Sequence, residues 1–317
     1  MPLEFQTHLI DIPATAAGQR LDQALAAALP QYSRARLQRW IRDGAVRSGD
    51  SAVRASDRVH GGELVTVQAS FEPEPTVEPE DIALQIVHED RDLLVVNKPA
   101  GLVAHPGAGN RAHTLQNALM AHDPSLARVP RSGLVHRLDK DTSGLMVVAR
   151  TPAAHTRLVA QLAAHEVHRE YLALVLGLPT GGATIEQPIG RHRSQRTRMA
   201  VRSDGRDAIT HYRIEERFRA HTLLRVQLET GRTHQIRVHL AHEGFPIVGD
   251  PVYGGRRRQV AGASEVLNTL LRTFARQALH ARRLAFEHPI NGREVTYDAP
   301  PPDDLKALFA ALRTDKK

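Results

Sequence analysis

Residues 136–150 read His136-Arg137-Leu138-Asp139-Lys140-Asp141-Thr142-Ser143-Gly144-Leu145-Met146-Val147-Val148-Ala149-Arg150. The charged half is too dense for a core strand, and 145–149 is too apolar for a surface loop. The pattern predicts a sheet-edge loop that presents Asp139 beside Arg137 and Lys140, anchored by a buried strand. Cations next to a carboxylate favour its ionised form. An ionised carboxylate held in place can act as a nucleophile or a general base. An isolated Asp of this kind is more often a solvated turn acid, here paired with Arg137. The rest of the chain decides between the two readings.

The chain has 317 residues, enough for two domains, and a hydrophobic fraction of 41%, enough for real cores. It contains no cysteine, which excludes disulfides and thiolate metal sites and suits a reducing compartment. No apolar run follows an N-terminal basic segment, and no stretch of about 18 apolar residues occurs. A cytoplasmic protein without signal peptide or membrane span is expected. Lys and Arg number 42 against 35 Asp and Glu, a formal net charge of +7. Arginine dominates the basic set, and its planar fork matches phosphate and stacks on bases. An Ala-rich composition offers a plainer explanation, because GC-rich coding favours Arg over Lys. The placement of the charge therefore matters more than its sum.

Residues 1–17 read as an N-terminal extension and 18–68 as a small module. In 19–29, Leu21, Leu25 and Leu29 have helical spacing, and Pro30 ends the run. Ser33 can N-cap a second helix with apolar Leu37, Trp40 and Ile41 on one side and Arg34, Arg36, Arg39 and Arg42 elsewhere. Only Asp43 is nearby to offset these cations, and Gly44 supplies a stop. Short strands are expected near 48–50 and at 63–68. Residues 69–80 form a linker whose run 71–80 holds three prolines and four glutamates, too polar to pack and prone to extend. From 81 to 317 strands alternate with a few helices. Residues 222–230 alternate cleanly, with Leu224, Val226 and Leu228 on one face and Arg225, Gln227 and Glu229 on the other. Residues 208–218 precede them as an antiparallel partner. Helices are expected at 114–121, 152–165, 233–243 and 302–313. The fold class that follows is α+β, a mixed, mostly antiparallel β-sheet with helices packed on it, preceded by a small α/β module.

The 136–150 segment resembles the catalytic motif of the pseudouridine synthases, in the branch with an HRLD-type signature that modifies ribosomal and transfer RNA. The likeness extends over nearly the whole chain. Residues 18–68 resemble the S4-type RNA-binding domain, with Ser48-Gly49 where that family usually has an Asn-Gly turn. The run Asn97-Lys98-Pro99-Ala100-Gly101-Leu102-Val103-Ala104-His105-Pro106 resembles the first motif, read as structural support for the cleft. The run His168-Arg169-Glu170-Tyr171-Leu172-Ala173 resembles the motif that carries an active-site Tyr. The run Glu229-Thr230-Gly231-Arg232-Thr233-His234-Gln235-Ile236-Arg237-Val238-His239 resembles the third, with Thr233 as helix N-cap. Gly249-Asp250-Pro251-Val252-Tyr253-Gly254-Gly255 is a turn cluster of the same branch.

The resemblance implies roles residue by residue. Asp139 is the indispensable carboxylate. Tyr171 packs against the target base, which needs an aromatic surface once it has left its stack; a Tyr on a half-buried strand is the plain alternative. Arg237 pairs with Asp139 by its place in the Gln-Ile-Arg triplet, with Arg232 as rival. Arg137 fills the gap left by the flipped base, and Arg137, Arg232 and Ile236 make up the substrate-binding set. Arg34, Arg36, Arg39 and Arg42 of the small module, and Arg193 and Arg196 of the basic loop 191–198, are RNA contacts, although surface arginines are often merely solvated. The basic run 256–258 belongs with them.

The implied reaction isomerises uridine to pseudouridine in 23S ribosomal RNA, at helix 69 of the large subunit, by base flipping. It needs no redox change and no leaving phosphate, so no cofactor is expected. His234, His239 and His242 fall close together, but no HExxH pattern accompanies them and no metal is expected. The partner is 23S ribosomal RNA or the large subunit or its precursor; neither a membrane nor a protein partner is implied, and a monomer is expected. The alternatives are a synthase of the same branch acting at other 23S sites and a non-catalytic S4 RNA-binding protein. A hydrolase pairing Asp139 with Asp141 fits poorly. Retaining glycosidases need carboxyls roughly 5 Å apart and inverting ones more, and Lys140 stands between these two.

Overall fold

The computed structural model describes the chain except residues 1–3, 31, 33, 50, 72–76, 108–109, 111, 196, 255–259 and 316–317. It divides into two compact units, Met1–Thr76 and Val77–Lys317. The small unit runs β1 (Glu4–Asp11), α1 (Leu21–Ala28), α2 (Arg34–Arg42), β2 (Val46–Ser48), β3 (Ser51–Ala52) and β4 (Leu64–Phe71), with strand order β1-β4-β2-β3. Leu21, Leu25 and Leu29 are buried as their spacing predicted. So are Leu37, Trp40 and Ile41, which join Val46, Val65 and Val67 in one core. The proposed Ser33 cap lies outside the described residues.

The segment 1–17 is no mere extension. Its strand β1 pairs with β4 along the full length of β1, and Ile12 is fully buried in the core. The reason is backbone hydrogen bonding rather than side-chain pattern. Leu9 points to solvent and β1 shows no clean alternation, but β4 offers a free edge that must be paired or protected.

The large unit begins with β5 (Ile86–Glu89), β6 (Leu93–Lys98), α3 (Leu115–His122), β7 (Ser143–Ala149), α4 (Pro152–Ala163) and β8 (His168–Leu176). It continues through β9 (Ala183–Glu186), β10 (Ile189–Arg191), β11 (Met199–Val201), β12 (Ile209–Arg217), β13 (His221–Leu228) and α5 (Gln235–His242). It closes with α6 (Glu265–Thr273), β14 (Leu279–Glu287), β15 (Glu294–Asp298) and α7 (Asp303–Asp315). Among the described residues the main sheet has the order β5-β6-β7-β14-β8-β13-β12-β9, with β15 on the later part of β14. Among the named strands of the described residues, β7 and β14 are the pair that runs parallel. The α+β class and the β12–β13 antiparallel pairing are as the alternation predicted.

All residues of β7 are buried. That makes it an interior strand rather than an edge, which corrects the sheet-edge expectation for the loop before it. A strand covered on both faces is apolar throughout, so the run 145–149 could not report where in the sheet it lies. Gly144 has φ +121°, and a Cβ there would sit 2.2 Å from the Ala281 carbonyl oxygen. Only glycine lets β7 meet β14 this closely, and that contact fixes where the preceding loop emerges. The helices bury stripes against the sheet. In α7 the stripe is Leu305, Leu308, Phe309 and Leu312, a helical period over about two turns. Thr114 caps α3 in a reciprocal box with Asn117, and Thr151 caps α4 ahead of Pro152.

Candidate active site

The loop 136–142 is pinned from several sides. The Lys98 ammonium, almost fully buried, donates to the carbonyls of Pro99 (2.7 Å), Leu102 (2.8 Å) and Lys140 (2.9 Å). Burial pushes that ammonium down to about 7, against the pull of Asp141 and Asp139. Gly101 N–H also donates to the Lys140 carbonyl at 3.0 Å, and Thr142 N–H to the Asp139 carbonyl at 3.0 Å. Gln277 Nε2 reaches Thr142 Oγ1 at 3.0 Å, and Arg276 donates to the Asp141 carbonyl at 3.2 Å. The backbone under Asp139 is thereby fixed, so its side chain is aimed rather than free.

Asp139 Oδ2 accepts from Arg237 Nη1 at 2.9 Å. The fork of Arg237 does not close on Asp139, however. Nε and Nη2 form a bidentate pair with Asp250, at 2.7 and 3.0 Å. Asp250 Oδ1 also accepts the N–H groups of Val252 (2.8 Å) and Tyr253 (3.0 Å). Asp250 is an Asx-type turn organiser, a role the Gly-Asp-Pro sequence could have disclosed. Burial works against the charges of both partners. Their mutual hydrogen bonds outweigh it, raising the Arg237 pKa and holding Asp250 below the carboxylate range. The Tyr253 ring lies under the Arg237 guanidinium, 5.1 Å from centroid to Cζ.

Helix α5 begins differently from expectation. Its N-cap is His234 in the left-handed region (φ 57°), not Thr233, and no side chain of the cap bonds the helix. Gln235 instead ties the helix start to the loop before it, its Oε1 accepting from Arg232 N–H at 2.9 Å and Thr230 Oγ1 at 2.8 Å. The left-handed turn brings His234 Nδ1 to Tyr253 Oη at 2.9 Å and Nε2 to 3.9 Å from Asp139 Oδ1. Burial lowers the His234 pKa, with Asp139 opposing.

Asp139, Arg137, Tyr171, Arg232, Ile236 and Arg237 line one cavity, joined by Arg169, His136 and His234. Tyr171 is buried on β8, and burial raises its phenol pKa. Arg137 is exposed, its Nη1 at 3.5 Å from His105 Nε2. Arg232 donates from Nε to the Asp207 carbonyl at 2.9 Å. It holds the loop edge while Arg237 holds the carboxylate. Among the described residues no group of three or more His, Cys, Asp or Glu could hold a metal ion, and no helix is long and apolar enough to cross a membrane.

The arginines of α2 are not all unengaged. Arg34 pairs with Asp22 at 2.8 Å, and Arg39 lies 3.6 Å from Asp43. Asp22, twelve residues before Arg34, is fully buried and also takes Arg20 (3.0 Å). The offsetting charge was therefore larger than Asp43 alone, because α1 and α2 pack together and carry Asp22 to Arg34. Arg36 is half-buried and Arg42 exposed. In the basic loop Arg193 is exposed, while Arg196 and 256–258 lie outside the described residues. Arg198 stacks on Tyr253 at 5.3 Å.

Residues 92–242 match the family model described as RNA pseudouridylate synthase, and residues 19–65 match the S4 domain. The chain is 55% identical, over 99% of its length and 95% of the relative's, to a ribosomal large subunit pseudouridine synthase D of Xanthomonas campestris pv. campestris. It is 54% identical to the protein of the same name in Escherichia coli K12, over 94% of this chain and 92% of that one. The solved structure of human RNA pseudouridylate synthase domain containing 1 is similar, with TM-score 0.55 and 29% identity over 76% of this chain and 90% of that one.

Proposed function

Because this chain belongs to the RNA pseudouridylate synthase family, with an S4 domain ahead of the synthase domain, we propose that it isomerises specific uridines of 23S ribosomal RNA, at helix 69 of the large subunit. The names of its relatives support a large-subunit RNA as substrate. The observation that carries the chemistry is the Arg237 bridge. One guanidinium is locked onto buried Asp250 through Nε and Nη2 and turns its third nitrogen, Nη1, to Asp139. Asp139 is thereby held in an open cleft with one oxygen, Oδ1, left for a substrate.

The target uridine leaves its stack, at a cost on the order of a few kcal/mol. Arg137 occupies the gap and Tyr171 supports the base. Asp139 works at the ribose, as nucleophile at C1′ or as base on a ribose proton. The C1′–N1 bond breaks with its electron pair on the uracil. The ring turns, C5 bonds to C1′, C5 loses its proton and N1 gains one. No electron is gained or lost overall, so no cofactor is required. Cytoplasmic action on the ribosomal RNA or its precursor, as a monomer, completes the reading.

The test is incubation of purified protein with 23S ribosomal RNA, free and within the large subunit, followed by mapping of pseudouridine at nucleotide resolution. New pseudouridines in helix 69 are expected. Product elsewhere in 23S RNA would move the site but keep the reaction. Free uracil would mean a hydrolase, and binding without product an RNA clamp. Deleting residues 1–75 is expected to leave a folded, active synthase with weaker RNA binding and a shallower salt dependence. An insoluble product would show that the domain boundary is elsewhere.

A further inference from the structure

The cleft contains a second buried cation that the Arg237 bridge does not involve. Arg169 lies on β8, 8% exposed, and lines the cavity that holds Asp139. Its Nη2 donates to the Glu229 carbonyl at 3.1 Å. Its Nε is shut off from solvent and has no hydrogen-bond partner. No carboxylate among the described residues stands within ion-pair distance of it. The neighbouring Glu170 is turned to Arg225 and Arg282, at 3.8 and 3.6 Å, and the Glu229 carboxylate to His211 at 2.6 Å. His136 offers no charge, since burial and the Arg169 guanidinium hold its pKa down to about 3. A Cβ at Gly231 would come within 2.9 Å of Arg169 Nη1, so glycine at that place leaves the guanidinium its room.

Desolvating a cation without an anion is costly, and a fold gains nothing by it. Buried unpaired donors are rare in proteins, and a guanidinium that lines a cleft with no carboxylate beside it points to an acceptor from outside the chain. The position of that acceptor follows from the strand. Arg169 and Tyr171 are two residues apart on β8 and project from the same face. A base lying on Tyr171 has its polar edge within reach of a guanidinium roughly 7 Å along the strand.

Resting on the pseudouridylation reading above, we propose that Arg169 is a catalytic residue that donates to the carbonyl oxygens of the target uracil. When the C1′–N1 bond breaks, its electron pair spreads over N1, O2 and O4 of the ring. A guanidinium aimed at those oxygens bonds most strongly while that charge exists. The charge disappears once C5 has joined C1′, the C5 proton has left and N1 has gained one, so the contact favours the detached ring over both substrate and product.

The experiment compares wild type with Arg169→Met and Arg169→Lys by thermal melting, RNA affinity and single-turnover rate at saturating enzyme on 23S RNA. Arg169→Met is expected to melt within about 3 °C of wild type or higher, since no ion pair is lost. Its rate is expected to fall about 100-fold or more, the size seen when one donor to a developing anion is removed. RNA affinity should change less than about threefold, and Arg169→Lys should keep part of the rate. A large fall in melting temperature or a failure of Arg169→Met to fold, with Arg169→Lys fully active, would make Arg169 a structural cation and overturn the inference. An unchanged rate with weaker binding and a salt slope reduced by about one would assign it to a phosphate instead, which also overturns it. Wild type without pseudouridine product would sink the parent reading, a result distinct from either.

Discussion

In the small unit Asp22 sits at the centre of a charge knot and takes Arg20 at 3.0 Å and Arg34 at 2.8 Å. In the large unit Arg237 sits at the centre and holds Asp250 at 2.7 Å and Asp139 at 2.9 Å. The residue types are the same and the polarity is reversed. In each case the central group is buried; both outer arginines of the first knot and one outer carboxylate of the second, Asp139, keep contact with solvent. Arg20 and Arg34 retain 38% and 45% of their side-chain exposure, and Asp139 retains 17% against none for Asp250. The buried member needs the pairing to be tolerated at all; the exposed member is what the knot presents. The small unit therefore presents cations, suited to phosphates. The large unit presents a carboxylate, suited to a ribose.

The strongest way to break this comparison is Asp139→Asn. The substitution keeps shape and removes the charge that the second knot presents. A single-turnover rate below about one-thousandth of wild type is expected, with RNA affinity nearly unchanged. Pseudouridine formation by the purified variant, free of host enzyme, would remove Asp139 from the chemistry.

Arg237 comes next, because it is the centre of its knot. Lysine has one nitrogen where arginine reaches the two carboxylates with three, so Arg237→Lys is expected to lower the saturating single-turnover rate by about 100-fold. Arg237→Ala should also strand fully buried Asp250, at a cost of roughly 3–5 kcal/mol in stability. The check is a pair of melts beside the rates. Alanine should fall well below lysine in melting temperature, while both fall in rate.

The first knot is read through binding. Asp22→Asn is expected to release Arg20 and Arg34 from their fixed places and weaken RNA binding about three- to tenfold, leaving the saturating rate unchanged. Stability should show the same carboxylate through pH. Burial alone would raise the Asp22 pKa, but hydrogen bonds from Arg20, Gln38 and Arg34 hold it well below the usual range. A folded pKa below the unfolded one gives stability that is complete above about pH 4 and lost as pH falls through the folded value. The melting advantage of wild type over Asp22→Asn should shrink steadily below about pH 4. A pH-independent gap would show that Asp22 contributes by shape alone.

Neither knot was readable in full from the sequence. What could be read was local. The period of 302–313, the alternation of 222–230 and the apolar run 145–149 each follow from a repeat of side chains along one element. That Asp139, Tyr171 and Arg237 share one cavity, with Arg237 bonded to Asp139, was readable through the motifs around them. What could not be read depends on contacts across the chain. Asp22 meets Arg34 only because α1 and α2 pack together. Asp250 takes the Arg237 fork from a turn thirteen residues on. The strand β1 forms because β4 has an edge to pair, which no alternation in β1 announces. His234 displaces Thr233 as cap because a left-handed residue there turns its ring toward Tyr253 and Asp139, a choice that local capping preference does not encode.

The smallest effect belongs to the arginine that rivalled Arg237. The Arg232 side chain makes one bond, to the Asp207 carbonyl, and no ion pair among the described residues. The bond that ties this residue to α5 is made by its backbone N–H to Gln235, and alanine keeps it. Arg232→Ala should therefore leave the helix start and the Arg237 bridge intact. It removes one half-buried cation from the rim of the cleft. RNA affinity is expected to fall about two- to fivefold, and the slope of log affinity against log salt by about one, as for a single phosphate contact. The saturating single-turnover rate should stay within about twofold of wild type, because nothing that holds Asp139 has changed. If Arg232→Ala instead abolishes the chemical step while Arg237→Lys stays near wild type, the second knot is a fold device only. The exposed carboxylate would then be governed from the loop edge, and the reversed-polarity comparison would fail.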